Sequence, residues 1–399
     1  MSLNSTPSSE RVHIGFFGLR NAGKSSLVNA VTGQSLAVVS DIKGTTTDPV
    51  KKAMELLPVG PVVIIDTPGI DDEGTLGELR VQKAKEILAK TDIAVLVHDV
   101  SEALSKTEKE LIEIFRERKI SFIIAHNKCD TAEAIPESSE NEIYVSALTG
   151  ENIHAFKELM AKIAKDTASE KFIVSDLINE GDTVLLVIPI DKAAPKGRLI
   201  LPQQMTLRDI LDKGAVPLCC RDSELTAALD KLKAPPALVI TDSQVFGRVS
   251  KALPESIPLT SFSILMARYK GDLPALLKGA DALSTLSDGD RVLISEGCTH
   301  HRQCNDIGTV KMPKWIEDYS GSKPDFSFTS GGEFPEDLTP YKLVVHCGGC
   351  MLNEKEMQSR IRRCEMQNVP VVNYGMAIAK MNGILERSIA VFDSFRQQS

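Results

Sequence analysis

The chain has 399 residues, of which 42% are apolar and 25% charged, and a net charge of -8, enough material for two to three ordinary globular domains. The acidic balance speaks against a general nucleic-acid or anionic-membrane binder, whose affinity rests on basic surface, and the apolar runs are too short to span a bilayer. Eight cysteines with no visible export signal point to a reducing, cytoplasmic setting, where clustered thiols bind metal or do redox work more often than they form disulfides.

In chain order, residues 1–10 are polar and read as a disordered N-terminus. From 11 to 168, β-rich runs at Val12–Phe17, Val62–Asp66, Ile93–Asp99, Ser121–His126 and Ile143–Ser146 alternate with helical patterns such as Leu79–Lys90 and Lys106–Arg118. That alternation predicts a parallel α/β sheet. A polar passage at Lys165–Lys171 reads as a linker. The stretch 169–269 offers strands at Val184–Ile190, Val216–Cys220 and Ala237–Thr241 and a helix at Ser223–Lys233. The stretch 270–399 offers strands at Arg291–Ser295, Leu343–His346 and Pro370–Asn373, a charged helix at Glu354–Gln367, and a loop at Tyr319–Glu333. The expected architecture is α/β in three domains: a phosphate-loop domain at 11–168, then two smaller α/β domains at 169–269 and 270–399.

The first domain carries a connected set of motifs. Gly18-Leu19-Arg20-Asn21-Ala22-Gly23-Lys24-Ser25 fits the phosphate loop G-x-x-x-x-G-K-[ST] between a strand and a helix. Its glycines, Asn21, Ala22 and the helix start at Lys24, Ser25 and Ser26 are expected to cradle phosphates, with Lys24 against the β and γ phosphates and the Ser25 hydroxyl on Mg²⁺. Asp66-Thr67-Pro68-Gly69 closes a strand and places Asp66 for Mg²⁺ and the Gly69 N–H for the γ-phosphate. Asn127-Lys128-Cys129-Asp130 selects guanine, because a carboxylate at Asp130 accepts from both N1–H and the 2-amino group. Ser146-Ala147-Leu148 supplies a backbone N–H for guanine O6. Gly44-Thr45-Thr46-Thr47-Asp48 is a segment suited to cover Mg²⁺ through Thr47 in the GTP state. Lys24, Thr47 and Gly69 are the expected catalytic set.

These motifs resemble those of the translation-factor-related GTPases, particularly the tRNA-modification and ribosome-assembly members. Ile70 follows Asp-Thr-Pro-Gly where Ras-type proteins carry a glutamine, and Asn21 resembles the asparagine that helps bind K⁺ in some members. The resemblance implies slow, K⁺-stimulated hydrolysis. The alternative for Asn21 is that it serves only an unusual backbone angle.

The last quarter of the chain carries a second constellation. Cys298-Thr299-His300 follows one predicted strand, and His346-Cys347-Gly348-Gly349-Cys350 ends another. Both fall at strand C-terminal ends, where open α/β sheets place ligands. Three thiolates from Cys298, Cys347 and Cys350 suit either iron–sulfur or zinc; a structural zinc site would add His300 or His346 as fourth ligand. The order of features, phosphate loop to C-x-H to H-C-x-x-C, resembles the GTPase that matures iron-only (FeFe) hydrogenase, the HydF family, over nearly the whole chain from Arg11. The resemblance implies a 4Fe–4S cluster on the three cysteines, with His300 and His346 as candidates for the fourth position or for support behind the ligands. It also implies a homodimer joined through 169–269 and a carrier that takes a transient diiron precursor from radical-SAM partners to apo-hydrogenase. No nucleic acid and no membrane are expected as partners. A ribosome- or RNA-directed GTPase with a structural zinc domain is the competing reading.

Overall fold

In the computed structural model, which describes residues 6–34, 50–69, 84, 86–132, 134–135, 139–167, 171–190, 199–297 and 306–396, the chain divides into two units, Met1–Glu170 and Lys171–Ser399. The first unit is built on six strands: β1 (Val12–Phe17), β2 (Val50–Leu56), β3 (Gly60–Asp66), β4 (Ile93–Asp99), β5 (Ser121–Asn127) and β6 (Glu142–Tyr144). They lie in the order β2-β3-β1-β4-β5-β6. All neighbours are parallel except β2, which runs antiparallel along β3. Side chains alternate across the sheet, so Ile14 and Phe16 face the helices Lys24–Thr32 and Ile153–Thr167 through Leu27, Val31, Phe156 and Met160. Phe17, Ile65 and Leu96 face the other side, against Leu111 and Phe115 of the helix Lys106–Glu117. That helix opens with a capping box formed by Ser105 and Glu108.

The second unit holds two four-stranded sheets. One contains β7 (Thr183–Val187), β8 (Val216–Cys220), β9 (Leu238–Thr241) and β10 (Leu259–Ser261); the other contains β11 (Arg291–Glu296), β12 (Asp325–Ser330), β13 (Leu343–His346) and β14 (Val371–Asn373). Their orders, β10-β9-β7-β8 and β12-β11-β13-β14, are the same topology, and every pairing is parallel. In each, the second strand goes to one side of the first and the third and fourth go to the other. The chain therefore changes direction between the ends of the first and third strands, which opens a crevice there. One continuous apolar core joins the two sheets, from Ile173 and Leu185 to Ile294, Val345 and Met376.

Several expectations are corrected. The segment 319–333 contains the edge strand β12, paired along β11; its Phe326-Ser327-Phe328-Thr329 alternation is a strand period inside a Ser- and Gly-rich setting. The helix expected at Ser223–Lys233 is only Leu225–Leu229, preceded by the 3-10 turn Asp222–Glu224, and Pro235-Pro236 follow shortly after. β2 and β10 were not anticipated. Much of the helix expected at Leu79–Lys90 falls outside the described residues.

Candidate functional site

The phosphate loop leaves β1 at Gly18, whose φ is +144° and where a Cβ would sit 2.2 Å from the Val97 carbonyl oxygen. Only glycine fits that passage. Asn21 and Gly23 also have positive φ, +64° and +85°, so Asn21 does serve an unusual backbone angle. Ala22 is buried behind the loop. Lys24, Ser25 and Ser26 form the first turn of the helix Lys24–Thr32, which leaves their backbone N–H groups directed toward the loop. The Lys24 ammonium folds back across the loop, donating to the carbonyls of Gly18 (3.0 Å) and Leu19 (2.7 Å).

Asp66, at the end of β3, receives the Ser25 hydroxyl at 2.9 Å on Oδ2. Its Oδ1 is buried and has no hydrogen-bond partner among the described residues. Burial raises the carboxyl above its ordinary range, opposed by the Ser25 hydrogen bond and the Lys24 charge. A hydroxyl and a buried, half-satisfied carboxylate are hard oxygen donors of the kind Mg²⁺ takes. Thr67 is pinned by its hydroxyl to the Phe16 carbonyl at 2.6 Å. At Gly69 a Cβ would lie 3.0 Å from the Arg20 Cα, so this segment runs tightly against the phosphate loop. Thr47 and Ile70 lie outside the described residues.

Asn127 ties three motifs together. Its Nδ2 donates to the Ala22 carbonyl at 3.0 Å, and its Oδ1 accepts the Ala147 N–H at 3.1 Å. Lys128 takes a φ of +64° and reaches Asp99 Oδ2 at 2.5 Å. The Asp130 side chain is exposed beside them. Ser146 is fully buried and accepts the Thr149 N–H at 3.1 Å, while Leu148 stands 87% exposed at the rim where a base would lie. The phosphate loop, the Asp66–Gly69 segment and the Asn127 and Ser146 motifs thus converge at the strand ends. The sequence reading missed that Asn127 is the tie, because such a closure exists only in three dimensions.

The second candidate site lies at the switch point of β11 and β13. Cys347 follows β13, and its Sγ accepts the N–H of Gly297, which follows β11, at 3.0 Å, and the N–H of Gly349 at 3.4 Å. Gly349 has φ +62°. Burial raises the thiol of Cys350, as does the neighbouring Cys347, whereas Lys270 opposes the rise. Backbone N–H donors therefore surround the Cys347 sulfur, while burial holds Cys350 as the neutral thiol in the metal-free chain. Cys298 and His300 lie outside the described residues, and among the described residues no group of three potential ligands is assembled. The donor set that is present, two thiols on a glycine-opened turn, fits a soft metal centre.

His346, a candidate fourth ligand from the sequence, is 1% exposed; its Nδ1 is 2.8 Å from the Cys347 carbonyl and its Nε2 3.0 Å from Arg360 Nη1. Both ring nitrogens are engaged in these contacts. At the end of β11, the Tyr374 hydroxyl donates to Glu296 at 3.3 Å, and burial drives that phenol's pKa far up, with Glu296 and Cys347 adding to it. Arg360, Tyr374 and Lys270 were not singled out from the sequence. For Arg360 the signal was present: Met357, Ile361 and Cys364 mark the buried face of the helix Glu354–Met366, and Glu356 and Arg360 lie on it.

Comparison with known proteins accounts for both halves. Residues 13–128 match the family described as 50S ribosome-binding GTPase. Residues 173–271 match the hydrogen maturase F dimerization domain, and 274–391 its tetramerization domain. Among curated proteins, GTPase Der of Campylobacter concisus is 35% identical over 175 residues, 40% of this chain and 37% of that protein. The tRNA modification GTPase MnmE of Streptococcus agalactiae is 34% identical over 162 residues, 40% of this chain and 35% of that protein. The chain thus spans little more than a third of the length of these relatives.

Proposed function

The chain belongs to the hydrogen maturase F family and is a hydrogenase-maturation GTPase, and from that premise we propose that it is also an iron–sulfur scaffold that carries a diiron precursor to apo FeFe hydrogenase. The observation that carries the scaffold reading is Cys347, held by two backbone N–H donors at the crevice between β11 and β13 with Cys350 three residues on. Cys298 supplies the third thiolate in this reading, and three protein thiolates on a 4Fe–4S cluster leave one iron exchangeable. The precursor comes from radical-SAM partners and is cargo, not a resident cofactor.

The nucleotide chemistry belongs to the first unit. Mg²⁺, when bound, neutralises charge on the β and γ phosphates. Ser25, Asp66 and Thr47 would hold it; Lys24 would exchange the loop carbonyls for phosphate oxygens; the Gly69 N–H would serve the γ-phosphate; Asp130 would read guanine. Asn21 supports a K⁺ beside the phosphates, and turnover is slow because Ile70 replaces a water-orienting glutamine. Nucleotide state then alters partner contacts through the segments around Thr45–Thr47 and Ile70–Gly74. The stretch 169–269 joins two copies, and β8 suits that role as an edge strand with Val216 55% exposed.

The test is delivery. Protein isolated anaerobically from cells that also produce the radical-SAM partners is expected to give hydrogen evolution on mixing with apo-hydrogenase, and Cys347→Ala protein is not. Activation by the Cys347→Ala protein at the wild-type level would overturn the carrier reading. Phosphate release measured in K⁺ and in Na⁺ checks the cation.

A further inference from the structure

Behind the Cys347–Cys350 turn lies a buried polar chain that the scaffold reading does not use. Arg360, 5% exposed, sends Nη1 to His346 Nε2 (3.0 Å) and Nη2 to the Gly331 carbonyl (2.7 Å) and Glu356 Oε1 (2.8 Å). Its guanidinium lies 5.1 Å from the centre of the Phe334 ring. With carboxylate, carbonyl and ring all fixing it, the guanidinium has little freedom to rotate. A guanidinium can only donate, so His346 Nε2 must accept and carries no proton. The proton of the neutral ring is then on Nδ1, which donates to the Cys347 carbonyl 2.8 Å away. On the far side of the same turn, the buried Lys270 ammonium donates to the Leu352 carbonyl at 3.2 Å.

We propose that His346 is a positioning residue and not a cluster ligand: Arg360 locks it in the Nδ1–H tautomer, and its Nδ1–H fixes the Cys347 carbonyl so that the Cys347 sulfur stays under the Gly297 and Gly349 N–H groups. Lys270 clamps the other end of the turn. The assignment of His346 as non-ligand rests on the scaffold reading, whereas the tautomer lock does not. The consequence for that reading is specific: the exchangeable iron is not capped by His346, and the ring acts through the carbonyl it holds.

Two experiments separate the claims. Long-range ¹⁵N–¹H correlation of the metal-free full chain with labelled histidine, with His346 assigned by its loss in His346→Asn, is expected to show protonated Nδ1 and bare Nε2. The opposite tautomer, or an averaged pair of nitrogens, overturns the lock. Asn places an amide donor near the Nδ1 position, and Gln an acceptor near Nε2, yet neither is a comparable metal ligand. Anaerobically purified His346→Asn is therefore expected to keep the wild-type iron content and EPR line shape, while His346→Gln, which has no donor at the Nδ1 position, and His346→Leu lose iron. An altered EPR line shape in the Asn variant with iron retained would make His346 a ligand and sink the proposal, and full iron content in the Gln variant would show that the Nδ1–H contact positions nothing. Wild-type protein without iron would instead sink the scaffold reading and leave the tautomer result standing.

Discussion

The two sheets of the second unit, β7–β10 and β11–β14, share strand order and parallel sense, but among the described residues only the second sets a thiol between the ends of its first and third strands. Between the ends of β7 and β9 the described residues make a backbone connection, the Asp242 N–H donating to Val187 O at 3.3 Å. After β11 and β13 it holds a sulfur ringed by backbone donors. Topology supplies the place; the residues grafted there decide the function.

The largest expected effect sharpens that contrast. Replacing Cys347 or Cys350 by Ala should abolish cluster binding and leave GTP hydrolysis intact, whereas Cys219→Ala or Cys220→Ala, on β8 of the sister sheet, should leave iron content unchanged. Iron lost from the β8 variants would break the comparison. Glycine substitutions give the next effect. A Cβ at Gly279, in the helix Leu273–Ala282, would fall 1.8 Å from the Val371 carbonyl oxygen, so Gly279→Ala should cost about 3 kcal/mol of stability by denaturant titration. At Gly247, on the sister sheet's helix Phe246–Ala252, the added atom meets only the Asn382 side chain at 2.9 Å. Gly247→Ala should stay within about 1 kcal/mol of wild type, since alanine favours a helix interior. Gly349→Ala must hold φ +62° against the Met357 sulfur at 2.6 Å and should cost about 1–2 kcal/mol, together with part of the iron.

The smallest effect contrasts two buried histidines. His346 faces an arginine; His98 faces Glu108 at 3.0 Å. Burial opposes the charged form of His98, but the Glu108 hydrogen bond and charge and the Glu102 carbonyl outweigh it and raise its pKa. Burial likewise opposes ionised Glu108, and the bonds to His98 and Ser105 outweigh it and lower its pKa. The histidine contribution is therefore fully present below about pH 6.5 and is lost as pH rises through the raised value, while the glutamate contribution is lost as pH falls below about 4.5. His98→Gln should flatten the melting temperature of the first unit between pH 6 and pH 8.

The first unit was largely legible in the sequence because each nucleotide motif is short, ordered and placed at a strand end. The second unit was less so. Strand order is not written in any local pattern, so the kinship of the two sheets was invisible. β12 was hidden in a Ser- and Gly-rich stretch, and Arg360 in a helix that reads simply as charged. The cysteine pair reads as a candidate metal site, but the pattern does not name the metal, since thiolates serve zinc and iron–sulfur alike.

That ambiguity sets the decisive measurement: iron, sulfide and zinc content with EPR on anaerobically prepared wild-type protein. The account predicts a brown protein with iron and sulfide in equal amounts and, on reduction, the signal of a 4Fe–4S cluster. A colourless protein holding one zinc per chain would contradict it.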